Sequence, residues 1–254
     1  MDSQGEETSG RSILRIAGAD REAFLQGLVT NDVRRLKAGI VYAALLGPQG
    51  KYLADFFLVP DGDGILIDVA TPLAEGLARR LSLYRLRADV RIEPSALHAR
   101  RGLGAPPAGA FADPRHPALG WRSYGDMPGS PPSIDWDALR VAHLIPESGV
   151  ELIPDDSYIL EMGFERLNGV DFRKGCYVGQ EVTARMKHKT ELRKGLAQVE
   201  IDGEAAPGTP ILTPEGREAG QLLTRSGGRA LAHIRFDRAE GDLHAGTARM
   251  RVTS

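Results

Sequence analysis

The stretch that most constrains the fold is VYAALLGPQGKYLADFFLVPDGDGILIDVA, residues 41–70, three apolar strand-like runs split by GPQGK and DGDG. Both interruptions are strong turn signals, so the spacing predicts an antiparallel meander. SILRIAG before it alternates like a strand. Asp20 is placed to cap a short helix, REAFLQGLV, whose Phe24, Leu25 and Leu28 share a face. Thr71 followed by Pro72 reads as an N-cap with proline at the first helical position, opening an amphipathic helix to about Leu86. ADVRIEP then returns as a strand.

The rest of the chain has a different texture. Seven of the 16 prolines lie between Pro106 and Pro132, which predicts either a linker or short edge strands joined by turns. IDWDALRVAHLI and SYILEMGFERL read as helices. After Arg193 short β-type runs follow one another with Gly or Pro between them, the pattern of a small barrel or sandwich. The first ten residues are polar and are expected to be disordered.

Charge and cysteine content narrow the function classes. With 32 basic and 34 acidic residues the net charge is −2, so no global field draws in nucleic acid or an anionic membrane, and neither is expected as a partner. The start MDSQGEETSGRS lacks a signal-peptide pattern, and no apolar run approaches the roughly 18 residues of a membrane span. One cysteine forms no internal disulfide, so a reducing compartment, the cytoplasm, is expected.

That cysteine sits in DFRKGCYVGQEVTAR, residues 171–185. Val178, Val182, Arg185, Met186 and Lys189 fall at helical spacing, which predicts a helix from near Gly179 to about Lys189, with Cys176 just before its N-terminus. Free N–H groups there, and Lys174 two residues away, favour a thiolate and make Cys176 and Lys174 the candidate reactive pair. Glycines on both sides permit a tight turn and close approach. A free cysteine is otherwise most often a small buried apolar residue.

KGCYVGQE, Lys174 to Glu181, resembles the signature of the YgfZ branch of the glycine-cleavage T-protein superfamily, tetrahydrofolate-binding proteins that assist iron–sulfur cluster maturation. VTARMKHKTELRKGL after it is similar to mitochondrial and alphaproteobacterial members. IAGADREAFLQGLVTND, YAALLGPQGKYLADFFL and IPESGVEL extend the resemblance over nearly the whole chain from about Ser12. The resemblance implies an α+β fold: a folate-binding body of two intertwined α+β subdomains, residues 11–192, then a small β-barrel, residues 193–254. It implies tetrahydrofolate as cofactor, bound between the subdomains, with Asp55, Tyr177, Gln180, Glu181 and Arg185 among the contacts. Iron–sulfur client or scaffold proteins are the implied partners.

Departures from the T-protein enzymes matter as well. Where those aminomethyltransferases carry a glutamate against the pterin, this chain has Ala142; where they carry an acidic pair, it has Ala54 and Asp55. A maturation factor is therefore favoured over an aminomethyltransferase. Alternation alone makes Asp55 as readily a solvent-facing strand residue. A Cys–His hydrolase is the third class, but His98, His116, His143, His188, His233 and His244 are scattered, and none is singled out as base or metal ligand. Arg185, Lys187, Lys189, Arg193 and Lys194 form either a solvated face or a local anion site for a folate tail or an acidic partner. No resident metal is expected, since a cubane cluster takes four thiolates and this chain has one.

Overall fold

A computed structural model describes residues 5–188 and 191–253. Lys189, expected at the end of the motif helix and in the basic run, lies outside them, as do the first four residues. The chain divides into two compact units, residues 1–134 with 165–181, and residues 135–164 with 182–254.

The first unit opens with β1 (Glu6–Glu7), β2 (Arg11–Ala17) and helix α1 (Arg21–Gln26). β3 (Val41–Leu46), β4 (Tyr52–Asp61) and β5 (Gly64–Ala70) form the expected meander, followed by α2 (Thr71–Tyr84) and β6 (Arg91–Ser95). They build an antiparallel sheet in the order β3-β4-β5-β2-β6. One face carries Leu14, Ile16, Ala43, Leu45, Ala54, Phe56, Leu58, Ile67 and Val69 against Leu25, Leu28, Leu77 and Leu81 of the helical side. The opposite face, with Tyr42, Asp55, Phe57 and Asp68, is buried too. Burial on both faces explains why the three runs are almost continuously apolar instead of alternating.

The proline-rich region supplies two strands of a second sheet, one at its edge and one inside it. β7 (His98–Gly102), β8 (Phe111–Ala112) and β9 (Trp121–Gly125) join β1 in the order β1-β7-β9-β8. This corrects the expectation of disorder for residues 6 and 7: Glu6 pairs with Arg101, and its buried carboxylate accepts the Ser133 and Ile134 amides. Such a carboxylate holds two orphan donors that a disordered terminus would leave to water.

In the second unit α3 (Trp136–Ala142) is capped by Asp135, whose side chain accepts the Ala138 amide at 2.8 Å. Helix α4 (Gln180–His188) begins in the first unit and continues in the second. Then β10 (Lys194–Asp202), β11 (Pro210–Leu212), β12 (Glu218–Ser226), β13 (Arg229–Arg235), β14 (Leu243–Ala245) and β15 (Ala248–Val252) close a six-stranded barrel in the order β10-β13-β12-β11-β14-β15. Small inward residues such as Ala197, Ala219, Ala232 and Ala248 fill it together with Ile211, Leu222 and Ile234. Buried Arg140 of α3 donates to Glu151 and to Thr224 of β12, which fastens the helix to the barrel wall.

Three local expectations are corrected. SYILEMGFERL makes single turns, not a helix, because Gly163 sits at φ 76°, a left-handed conformation that ends any α-helical run. Its buried Ile159, Leu160, Met162 and Phe164 mimic a helical stripe. Asp20 stands at the N-cap of α1 but its side chain accepts the Asp89 amide instead. Thr71 is the first residue of α2, not its cap, and its hydroxyl accepts from Ser12.

Candidate functional site

The Cys176 loop is built onto the first unit by polar contacts from the segment after α1. The amide of buried Thr30 donates to the Ala44 carbonyl of β3 and its carbonyl accepts the Asp171 amide, while its hydroxyl accepts the Ala44 amide at 2.9 Å and donates to the Gly169 carbonyl at 2.7 Å. Buried Asn31 donates to the carbonyls of Tyr42 at 2.8 Å and Asn168 at 2.6 Å. Arg35 pairs with Asp171 at 2.5 Å. Together they splice residues 168–171 onto strand β3.

Lys174 completes the attachment. Its amine is buried and donates to the carbonyls of Gln26 and Val29, both at 2.5 Å, at the C-terminal end of α1. Cations are favoured where unpaired helix carbonyls point. Gln26 replies through its Nε2, which donates to the Lys174 carbonyl at 3.2 Å, while its Oε1 accepts the Val33 amide. Burial lowers the Lys174 pKa to about 8, against the opposing pull of Asp32 and Asp171. The amine also lies 5.0 Å from the centre of the Tyr177 ring, which is itself buried.

Gly179 is needed where it stands. Its φ is 81°, and a Cβ there would lie 2.6 Å from the Gly47 carbonyl oxygen in the β3–β4 turn. Between the anchors at Lys174 and Gly179, Cys176 is left exposed. It lies four residues before the first residue of α4, one residue farther from the helix end than a start at Gly179 would place it. Gln180, half-buried, accepts the Tyr177 amide at 3.3 Å. Glu181 and Arg185 are exposed, in the first and last turns of α4, where their charges complement the helix dipole.

Asp55 is not a solvent-facing strand residue; only 4% of it is exposed. Its Oδ1 accepts the Tyr52 hydroxyl at 2.6 Å and its Oδ2 the Tyr42 hydroxyl at 2.9 Å. Burial and the Asp55 charge hold the Tyr42 hydroxyl in its protonated, donating form by raising its pKa. Tyr42 thus links the two places, through its carbonyl to Asn31 and through its hydroxyl to Asp55.

Beside Asp55 lies a charge layer that sequence reasoning missed. Asp68 accepts Arg11 at 2.6 Å, Arg122 at 2.7 Å and the Tyr124 hydroxyl at 2.9 Å. Asp113 takes Arg115 bidentately, and the Arg115 and Arg122 guanidiniums lie 4.8 and 4.1 Å from the Phe57 ring centre. Burial alone would raise the Asp68 pKa, but Arg11 and Arg122 outweigh it and bring it to about 2. A lone aspartate inside the apolar run ILIDVA was the available signal, because a buried carboxylate demands cationic partners. Arg11 came from β2, and Arg122 and Tyr124 from the proline-rich stretch.

For a reduced folate, the pterin offers a donor–donor edge that an open carboxylate would satisfy. Both Asp55 oxygens already accept tyrosine hydroxyls, Ala54 packs into the core, and Ala142 is exposed at the end of α3. These residues do not fit the carboxylate pairing that the T-protein resemblance implies. For metals, no group of three or more His, Cys, Asp or Glu suited to an ion occurs among the described residues. In the second unit, Arg193 and Lys194 of the basic run line a cavity of about 720 Å3 with Glu161, Met186 and Arg235.

The chain is similar along most of its length to known proteins. It is 30% identical to the mitochondrial iron–sulfur cluster assembly factor IBA57 of Mus musculus, covering 96% of this chain and 81% of that one. Against the Homo sapiens protein of the same name it is 31% identical, covering 92% and 78%. The model of the CAF17 C-terminal β-barrel domain matches residues 193–254. Among solved structures, the glycine cleavage system aminomethyltransferase T of Bartonella henselae superposes with a TM-score of 0.66 at 14% identity, over 99% of this chain and 86% of that one, which establishes the fold. The expected cytoplasmic location is overturned, since these curated relatives are mitochondrial. A single cysteine and a globular composition suit any reducing compartment and do not distinguish among them. The relatives carry the IBA57 name and do not single out the YgfZ branch.

Proposed function

Since the chain belongs to the IBA57 family of iron–sulfur cluster assembly factors, we propose that it serves in the assembly, delivery or repair of iron–sulfur clusters in client enzymes through its Cys176 motif. The observation that carries this reading is the presentation of Cys176: an exposed thiol on a loop anchored on both sides, by the Lys174 amine and by Gly179. The cluster is cargo. One thiol supplies one of the four ligands that a cubane takes, so the others come from a client or scaffold protein, and Cys176 gives up its proton as it takes its place. Lys174, turned into the carbonyls of α1, acts in this reading by holding the loop.

Tetrahydrofolate enters as a bound ligand and not as a reactant. Its polar contacts would be Gln180, Glu181 and Arg185, with Tyr177 and Asp55 behind the surface as supports. Aminomethyl transfer is disfavoured because the carboxylates it needs are absent at Ala54 and Ala142 and covered at Asp55.

Two measurements test these clauses separately. Cells depleted of this protein should lose iron–sulfur enzyme activities and regain them with the wild-type gene; unchanged activities on depletion would remove the assembly role. Titration calorimetry with tetrahydrofolate should show heat, and thermal unfolding should shift upward with ligand. Neither response would remove the folate clause and leave the other standing.

A further inference from the structure

The outer end of α2 has no part in the Cys176 site, yet it exposes more apolar surface than any other short segment among the described residues. Leu83 is 73% exposed, Tyr84 40% and Leu86 88%. Helix α2 buries Leu77 and Leu81 against the sheet, which leaves Leu83 on the outer side with Arg79 and Arg80 one turn before it. Leu86 follows the helix at φ 48°, a left-handed conformation that a leucine adopts at a cost. Strain of this kind at a fully exposed leucine serves no packing purpose.

The charges around these side chains have one dominant sign. Arg79, Arg80, Arg85 and Arg87 are all exposed, and the acids in the same stretch are Glu75, which pairs with Arg79 at 3.0 Å, and Asp89, which accepts the Ala19 amide. Among the described residues Arg80, Arg85 and Arg87 make no ion pair, and Arg85 donates to the Val90 carbonyl at 3.4 Å. An exposed apolar segment interleaved with exposed arginines, on a chain whose net charge is −2, is a local feature with a specific complement.

We propose that the end of α2 is a docking site for an anionic lipid surface, with Leu83 and Leu86 entering the acyl boundary and the arginines meeting the headgroups. The chemistry matches each part of that surface. Leucines bury in the boundary layer, Tyr84 suits the headgroup level, and arginine stems lie along apolar surface while their guanidiniums reach phosphate. No helix among the described residues is long and apolar enough to cross a membrane, so the contact is adsorption to one face. One short tip with four arginines gives reversible, salt-sensitive attachment. The inference does not depend on the proposed function.

Co-sedimentation of the full chain with phosphatidylcholine vesicles, with and without phosphatidylserine, tests it. The wild type should pellet with the serine lipid at low salt, stay in solution with phosphatidylcholine alone, and be released as salt is raised. Leu83→Ser with Leu86→Ser should weaken binding about tenfold or more, and Arg80→Glu with Arg87→Glu should do the same. Because all four side chains are exposed, both variants should keep the wild-type unfolding midpoint. No pelleting with the anionic vesicles would overturn the proposal, as would pelleting that survives either double substitution. Self-association through the same tip, seen by sedimentation velocity and without vesicle binding, would overturn it in favour of a protein occupant.

Discussion

Lys174 is the residue at which position and electrostatics separate most clearly. It stands two residues from Cys176, yet its amine is committed to the Gln26 and Val29 carbonyls. Lys174→Met removes both bonds and leaves two buried carbonyls unpaired, which costs about 1–3 kcal/mol. The expected consequences are faster amide exchange over residues 174–179 and easier tryptic cleavage after Arg173. Iron–sulfur enzyme activities should fall in the same cells, and Lys174→Arg should recover part of both. If activity fell while exchange over the loop stayed as in the wild type, Lys174 would be acting on the thiol by charge. The sign of its titration follows from burial. A lysine whose folded pKa is about 8 instead of 10.5 binds its proton less well in the fold than in the unfolded chain. Its burial therefore costs stability below pH 8, and that cost is relieved as pH rises from about 8 towards 10.5.

Among the elements, the sheet face carrying Asp68 makes the sharpest demand. Its carboxylate pKa is depressed in the fold to about 2, so its contribution is fully present above the unfolded value near 3.9 and is lost as pH falls through 2. That contribution is on the order of 2 kcal/mol. Asp68→Asn should cost roughly 3–5 kcal/mol in urea unfolding, because Arg11 loses its carboxylate partner and Arg122 keeps only Asp113, 3.6 Å away. It should also flatten the acid dependence between pH 4 and 2; an unchanged slope there would assign the acid sensitivity to other groups. The meander β3-β4-β5 was legible because turn chemistry and apolar runs agree. The proline-rich stretch was left open between a linker and edge strands because its strands are ordered by distant partners, Glu6 and Arg101, and the turns of residues 157–164 were misread because a buried apolar stripe mimics a helix that Gly163 ends. At the site, the glycine-flanked turn leading into a helix was legible from KGCYVGQE. The Thr30 and Asn31 splice was hidden, since LVTND shows no periodicity that reveals partners more than a hundred residues away.

For the whole molecule, a T-protein-like fold and an IBA57 family membership meet on a chain whose T-protein carboxylates are missing or covered. An aminomethyltransferase would depend on Asp55 and tolerate loss of the thiol. An assembly factor working through its cysteine would depend on Cys176, whose exposed side chain packs against nothing the fold requires. The direct test is the activity of iron–sulfur enzymes in cells lacking this protein and supplied with Cys176→Ala, after its folded state has been checked by its unfolding midpoint. The account predicts a midpoint like the wild type and enzyme activities that stay at the level of the depleted cells. Full restoration by Cys176→Ala would contradict it.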